Sequence, residues 1–196
     1  LRRVCFNDID VRGLPLSGLT MVRCDFEHAN LRGMDLRRCD LTECNFTGAD
    51  LTEADLSGAT LTQANMRKAK LGKAKLVKAK ARGVFFGEAF LGLADLDHAD
   101  LRYCTFDKAD LSSAKLTHCD LQESMLVEVK ADTAQFNGSN LQYANLSHAD
   151  LTHADFTAAD LSHANLHNIK DKGARFDRAS TATAKRTDVE LLEAEA

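Results

Sequence analysis

Large apolar residues recur at every fifth position of this chain. From Leu1 the register runs Phe6, Val11, Leu16, Met21, Phe26, Leu31, Leu36, Leu41 and Phe46. It reaches Leu166 without a one-residue slip, with Ala81 and Ala131 as its weakest steps. Two positions before each large residue sits a small one, such as Cys24, Ala29, Cys39 or Ala49, and the residue between is most often Asp or Asn, as in Ala49-Asp50-Leu51. A fixed period across a whole chain marks a repeat architecture. A helix turns by about 100° per residue, so a five-residue beat would wander around it. On one long strand an odd period would throw successive beats to opposite faces. Within a unit, however, the small and large residues are two apart, which is strand spacing. The pattern predicts short extended pieces separated by corners and wound into an all-β solenoid, with both apolar positions facing the axis.

The phenylalanines set the size of one coil. Phe6, Phe26, Phe46, Phe86 and Phe106 are separated by multiples of twenty, with Met66 at the missing step, and Phe136, Phe156 and Phe176 form a second set half a coil away. Rings stacked on successive rungs about 4.8 Å apart should share shape. Cys24, Cys44 and Cys104 keep the same column, as do Cys39 and Cys119, and Lys75, Asp95 and Lys115 alternate in sign. Four five-residue sides per coil is therefore the predicted winding, giving about nine coils and a rod roughly 40 Å long at strand-spacing rise. Gly13, Gly18, Gly33, Gly48, Gly58, Gly83, Gly138 and Gly173 all fall two residues after a beat, where a corner requiring positive φ would accept glycine at least strain.

These residues resemble the pentapeptide-repeat family, whose unit is written A(D/N)LXX, over residues 1–178. The resemblance implies a right-handed quadrilateral parallel β-helix, bacterial or plastid ancestry, and usually no enzymatic activity. Some members protect DNA gyrase by imitating DNA, and others are secreted effectors or parts of them.

The ends depart from the pattern. In the first coil the small positions carry Val4, Ile9, Leu14 and Leu19, bulk expected to plug the axis. The beat fails at Asp171 and Thr181, so residues 179–196 are expected to form a partly helical cap or tail. There Thr187-Asp188-Val189-Glu190 reads as a capping box ahead of Leu191 and Leu192. That short C-terminal helix, or a terminal coil, is also where a homodimer contact would form. Five of six cysteines take the small inward position, where a thiol acts as a small hydrophobe. Stacked neighbours such as Cys24 and Cys44 would point their Cβ bonds in parallel, a poor disulfide geometry. Reduced thiols and a cytoplasmic compartment are expected, with non-classical bacterial secretion as the alternative. No apolar run approaches the twenty residues of a membrane span.

Charge changes the picture once. Residues 67–82 hold Arg67, Lys68, Lys70, Lys73, Lys75, Lys78, Lys80 and Arg82 and no acid, a net +8. Before them stand seven basic and ten acidic residues, and after them ten basic and nineteen acidic, so net charges of −3 and −9 flank the stretch. Sixteen residues span most of a coil, so the basic set should form a belt around the rod. Just past it, Phe85 and Phe90 take the outward position normally filled by Asp or Asn, near Gly72, Gly87 and Gly92. They either lie exposed as a contact surface or turn inward through a local bulge.

Other chemistry is sparse. His98 and His118 are twenty apart and should stack, and His148 and His153 are five apart; ligation would need a third ligand in range, so no metal site is expected. No phosphate loop, nucleophile elbow, zinc helix or Cys-x-x-Cys occurs. The expected function is a non-catalytic docking or scaffold module without cofactor or small-molecule substrate. It would bind an unidentified protein through the belt and the two phenylalanines, as a domain of a longer effector or secretion-associated protein. Nucleic acid is not the expected partner, because a groove and interleaved aromatics are missing. The alternative is a gyrase-protecting DNA mimic, which the acidic flanks suit and the belt opposes.

Overall fold

The computed structural model describes residues 1–187. Its backbone is a parallel ladder in which each residue at a multiple of five bridges the residue twenty positions on: Asp25 to Asn45 to Asn65 to Phe85, and Asp50 to Lys70 to Phe90 to Asp110. Each coil is therefore twenty residues with four corners. A side is too short for a strand, and contributes a single bridging residue. No helix occurs among the described residues. The ladder continues beyond residue 178, through Ser180 and Lys185, although the side chains there are only partly covered. The Thr187 Oγ1 accepts from the N–H of Asn168 at 3.1 Å. The rest of the expected capping helix, from Asp188 onward, lies outside the described residues.

The hydrogen-bond accounting explains the five-residue unit. At the side centred on Asn45, the Asn45 N–H donates down to Cys24 O at 3.0 Å and the Phe46 N–H donates up to Asn65 O at 2.6 Å. The Gly48 N–H donates up to Arg67 O at 2.9 Å, and the Ala49 N–H closes the corner onto Phe46 O at 3.0 Å. Four of five N–H groups are thus paired by backbone. The fifth, on Thr47, has no backbone acceptor and is taken by Asn45 Oδ1 at 3.1 Å. The same capture recurs at Thr52 by Asp50, Ser112 by Asp110 and Thr152 by Asp150, at 2.9–3.2 Å. That is why Asp and Asn dominate the outward position: each folds an Asx turn over an otherwise orphaned donor.

Every corner from Arg3 to Arg178 has positive φ at its third residue, and twenty-eight of these residues are not glycine, Thr133 (57°) and Leu93 (62°) among them. A left-handed L-residue costs roughly 1–2 kcal/mol, and the inter-coil hydrogen bond it makes returns about 0.5–1.5 kcal/mol. Corners are therefore near neutral, and the stabilisation comes from the core. Leu, Phe and Ala positions from Leu16 to Leu166 are buried in one continuous cluster, each large side chain contributing about 1.5–3 kcal/mol. The phenylalanines stack as spaced: Phe6 on Phe26 at 4.8 Å, Phe26 on Phe46 at 5.0 Å, Phe86 on Phe106 at 4.7 Å, and Phe136 on Phe156 at 4.7 Å in the opposite column. Nothing in the structure explains the change of column.

In the first coil Val4 packs against the core, while Ile9, Leu14 and Leu19 are 48, 46 and 39% exposed.

All six cysteines are free thiols, and only Cys5 is exposed. The buried ones are more than space fillers. Cys39, Cys104 and Cys119 each place Sγ 3.0 Å from the carbonyl oxygen of Leu16, Ala81 and Leu96 one coil below, and the Ser124 hydroxyl does the same to Leu101 O at 2.8 Å. Burial pushes the Cys44, Cys104 and Cys119 thiols up to about 12, so they carry almost no thiolate at neutral pH.

Two outcomes check this fold. Leu101→Lys should abolish cooperative folding, since a charge would enter a dry column, whereas Asp100→Ala should change stability by no more than about 1 kcal/mol; thermal unfolding of both variants decides, and equal damage would contradict the inward and outward assignment. Native protein treated with iodoacetamide at pH 7.5 should lose one thiol rapidly, at Cys5, with the other five reacting only on unfolding. Mass spectrometry showing ready labelling of Cys104 or Cys119 would contradict the burial.

Candidate interaction surface

The belt exists as a belt. Lys70, Lys75 and Lys80 bridge on three successive sides, while Arg67, Lys68, Lys73, Lys78 and Arg82 occupy the intervening corners, and all eight are exposed. Carboxylates flank it in the ladder, Asp50 next to Lys70, Asp55 and Asp95 next to Lys75, and Asp100 next to Lys80, but close pairs are few. Lys68 pairs with Glu88 at 3.7 Å, but Lys70, Lys73, Lys75, Lys78 and Lys80 have no ion-pair partner among the described residues. The column Lys75–Asp95–Lys115 does alternate in sign, yet Asp95 lies 3.8 Å from Lys115.

Phe85 and Phe90 point outward, 38 and 48% exposed. Both stay in the ladder, Asn65 to Phe85 to Thr105 and Lys70 to Phe90 to Asp110, so the alternative of an inward bulge is not taken. The nearby glycines seat one of the rings. A Cβ on Gly72 would meet the Phe90 ring at 2.8 Å and one on Gly92 at 2.7 Å, and neither glycine has positive φ. They are needed for the absence of a side chain, which lets Phe90 lie flat along the surface. Arg67 stacks its guanidinium 4.9 Å from the Phe85 centroid, and Arg82 does the same over Tyr103 at 4.7 Å. Basic and aromatic groups therefore alternate around the belt's upper edge, an arrangement the spacing of phenylalanines alone does not reveal. Tyr103 (42% exposed) and Leu93 (58%) extend the apolar part and were not among the sequence candidates. Beside Tyr103 lies a shallow depression lined by Thr62, Gln63, Arg82 and Gly83.

The belt also loses the Asx turns. Its outward positions are Lys70, Lys75, Lys80, Phe85 and Phe90, none able to accept from the turn amide two residues on. The N–H groups of Gly72, Val77, Arg82, Gly87 and Gly92 consequently have no hydrogen-bond acceptor among the described residues. Five consecutive sides thus present a turn amide with no acceptor from the chain, close to lysine side chains. It is the longest such run among the described residues, and the turn amides of Thr62, Asp107, Thr117, Asp132 and Asn137 likewise lack one.

The histidines fall into separate groups. His98 and His118 stack at 4.8 Å, with Asp97 beside them. His148 packs edge-on against His167 at 5.4 Å, and His153 lies 3.3 Å from Asp132, so the pair five apart in sequence is not brought together.

Family profiles match this architecture directly. The profile of pentapeptide repeats matches residues 21–58 and 49–87, and that of the pentapeptide repeat region matches 99–176. The chain belongs to the pentapeptide-repeat family. Among solved structures it is similar to HetL, a pentapeptide-repeat protein involved in heterocyst differentiation regulation from the cyanobacterium Nostoc sp. strain PCC 7120. The two share 27% identity, with 94% of this chain and 87% of that one covered and a TM-score of 0.55. It is also similar to a trypsin-treated form of QnrB1, a plasmid-mediated fluoroquinolone resistance protein, at 20% identity, 99 and 96% coverage and a TM-score of 0.62; that likeness shows the fold alone. A comparison with curated proteins finds no match. Among the described residues of this pentapeptide-repeat chain, no helix is long and apolar enough to cross a membrane.

Proposed function

We propose that this pentapeptide-repeat protein is a non-catalytic docking module, a right-handed quadrilateral β-helix that presents its basic belt to an acidic protein surface. The observation that carries the reading is the run of five sides from Lys70 to Phe90, where the acceptor for the turn amide is missing and unpaired lysines stand in its place. Carboxylates of a partner would accept from both kinds of donor, and hydrogen bonds to charged acceptors are the stronger ones. Phe85, Phe90 and Tyr103 add apolar area at the same level, as contact surfaces commonly do. The six free thiols support a reducing, cytoplasmic-type compartment, and the likeness to HetL supports a bacterial setting.

The second reading is a DNA mimic that protects gyrase, favoured by the net −9 after the belt and opposed by the belt itself, which a DNA-binding saddle would repel. Titrating the ¹⁵N-labelled chain with a poly-glutamate peptide separates the two. Amide shifts should concentrate at Val77, Arg82 and Gly87 and weaken as salt is raised. The triple variant Lys70→Glu, Lys75→Glu, Lys80→Glu should remove them, and wild type should leave DNA supercoiling by gyrase unchanged. Dose-dependent inhibition of supercoiling that strengthens in the triple variant would overturn the docking reading in favour of the mimic.

A further inference from the structure

The third ligand that the histidine spacing lacks is supplied by the residue before His98. We propose that Asp97, His98 and His118 form a binding site for one divalent transition-metal ion, with Zn²⁺ the best fit. Asp97 Oδ2 lies 3.0 Å from His98 Nδ1 and Asp97 Oδ1 lies 3.8 Å from His118 Nδ1, and one ligand atom from each residue falls within 4.8 Å of the others. A tetrahedral ion with bonds of about 2.0–2.1 Å sets its ligands roughly 3.3 Å apart. The two imidazoles stand on adjacent coils, stacked 4.8 Å apart and 29° from parallel. To bind one ion both must rotate out of this stack so that their in-plane lone pairs converge, which their exposure at the corners allows.

The surroundings hold this arrangement. His98 and His118 both occupy left-handed corners, with φ of 59° and 55°, so their Cα–Cβ bonds project from equivalent backbone positions. The Thr117 hydroxyl donates to Asp97 Oδ1 and holds the carboxylate beside both Nδ1 atoms.

Lys115 is the competitor, with Nζ 3.6 Å from Asp97 Oδ2. It also lies 3.8 Å from Asp95, so it can release Asp97 to a metal without losing its counter-ion. Two imidazole nitrogens favour Zn²⁺, Ni²⁺ or Cu²⁺ over Mg²⁺ or Ca²⁺, which take oxygen ligands. Water completes the coordination, since the site faces solvent. A bound ion would clamp the coil of Asp97 to the coil of His118 and so stabilise the rod by linkage.

Isothermal titration of the untagged full chain with ZnCl₂ tests this. Wild type should bind one equivalent, and His98→Ala, His118→Ala and Asp97→Asn should each weaken binding by at least about tenfold, with far-UV circular dichroism unchanged. His153→Ala should bind as wild type. Lys115→Gln should tighten binding by about two- to fivefold, the worth of an exposed ion pair, a gain that a merely structural role for Lys115 would not produce. No saturable zinc binding, or binding that survives the His98 and His118 substitutions, would overturn the proposal.

Discussion

Everything in this molecule depends on one register: each residue must sit directly above the residue twenty positions earlier. The parallel ladder pairs four of every five backbone N–H groups between coils or across corners, and it leaves the fifth to the outward side chain where that is Asp or Asn. Core, corners and surface follow from that arithmetic. Small and large side chains alternate inward because they are two apart on a short extended piece. The corners take left-handed backbone, even at Thr133 and Leu93, because the inter-coil hydrogen bond there offsets the strain. A one-residue slip anywhere would invert all of this at once, which is why the beat is so strict.

The functional reading grows from where the surface half of the rule is broken while the core half is kept. Beneath the belt, Ala69, Leu71, Ala74 and Leu76 remain buried in the ordinary pattern, so the coil is structurally normal. Only its outward positions have changed, from residues that satisfy the turn amide to Lys and Phe, which do not. A surface that gives up its own hydrogen bonds in five consecutive sides is left with donors for another molecule's acceptors. The histidine pair and Asp97 one coil higher make a second, chemically distinct feature, in which the rungs impose the alignment of side chains.

Much of this was legible in the sequence because the repeat makes distance in sequence equal distance in space. The twenty-residue coil, the stacked phenylalanines, the inward cysteines and the belt all follow from counting. What escaped was whatever depends on how a side chain leans. Asp97 reaches the histidines because Thr117 holds its carboxylate there, and spacing does not encode that. The glycines near Phe90 were visible, but their role as a seat needed the ring's position. The eight glycines two residues after a beat do mark left-handed corners, and the ladder imposes the same backbone at twenty-eight corners without glycine.

Amide hydrogen exchange tests the register most directly, because it reads the fifth N–H side by side. The turn amides of Thr52, Ser112 and Thr152, each captured by an Asp side chain, should be clearly protected. Those of Val77, Arg82 and Gly87 should exchange much faster, while the ladder amides beside them, such as Leu76 and Phe86, exchange as slowly as any in the rod. Uniform protection of all turn amides, or fast exchange at Leu76 and Phe86, would contradict the account.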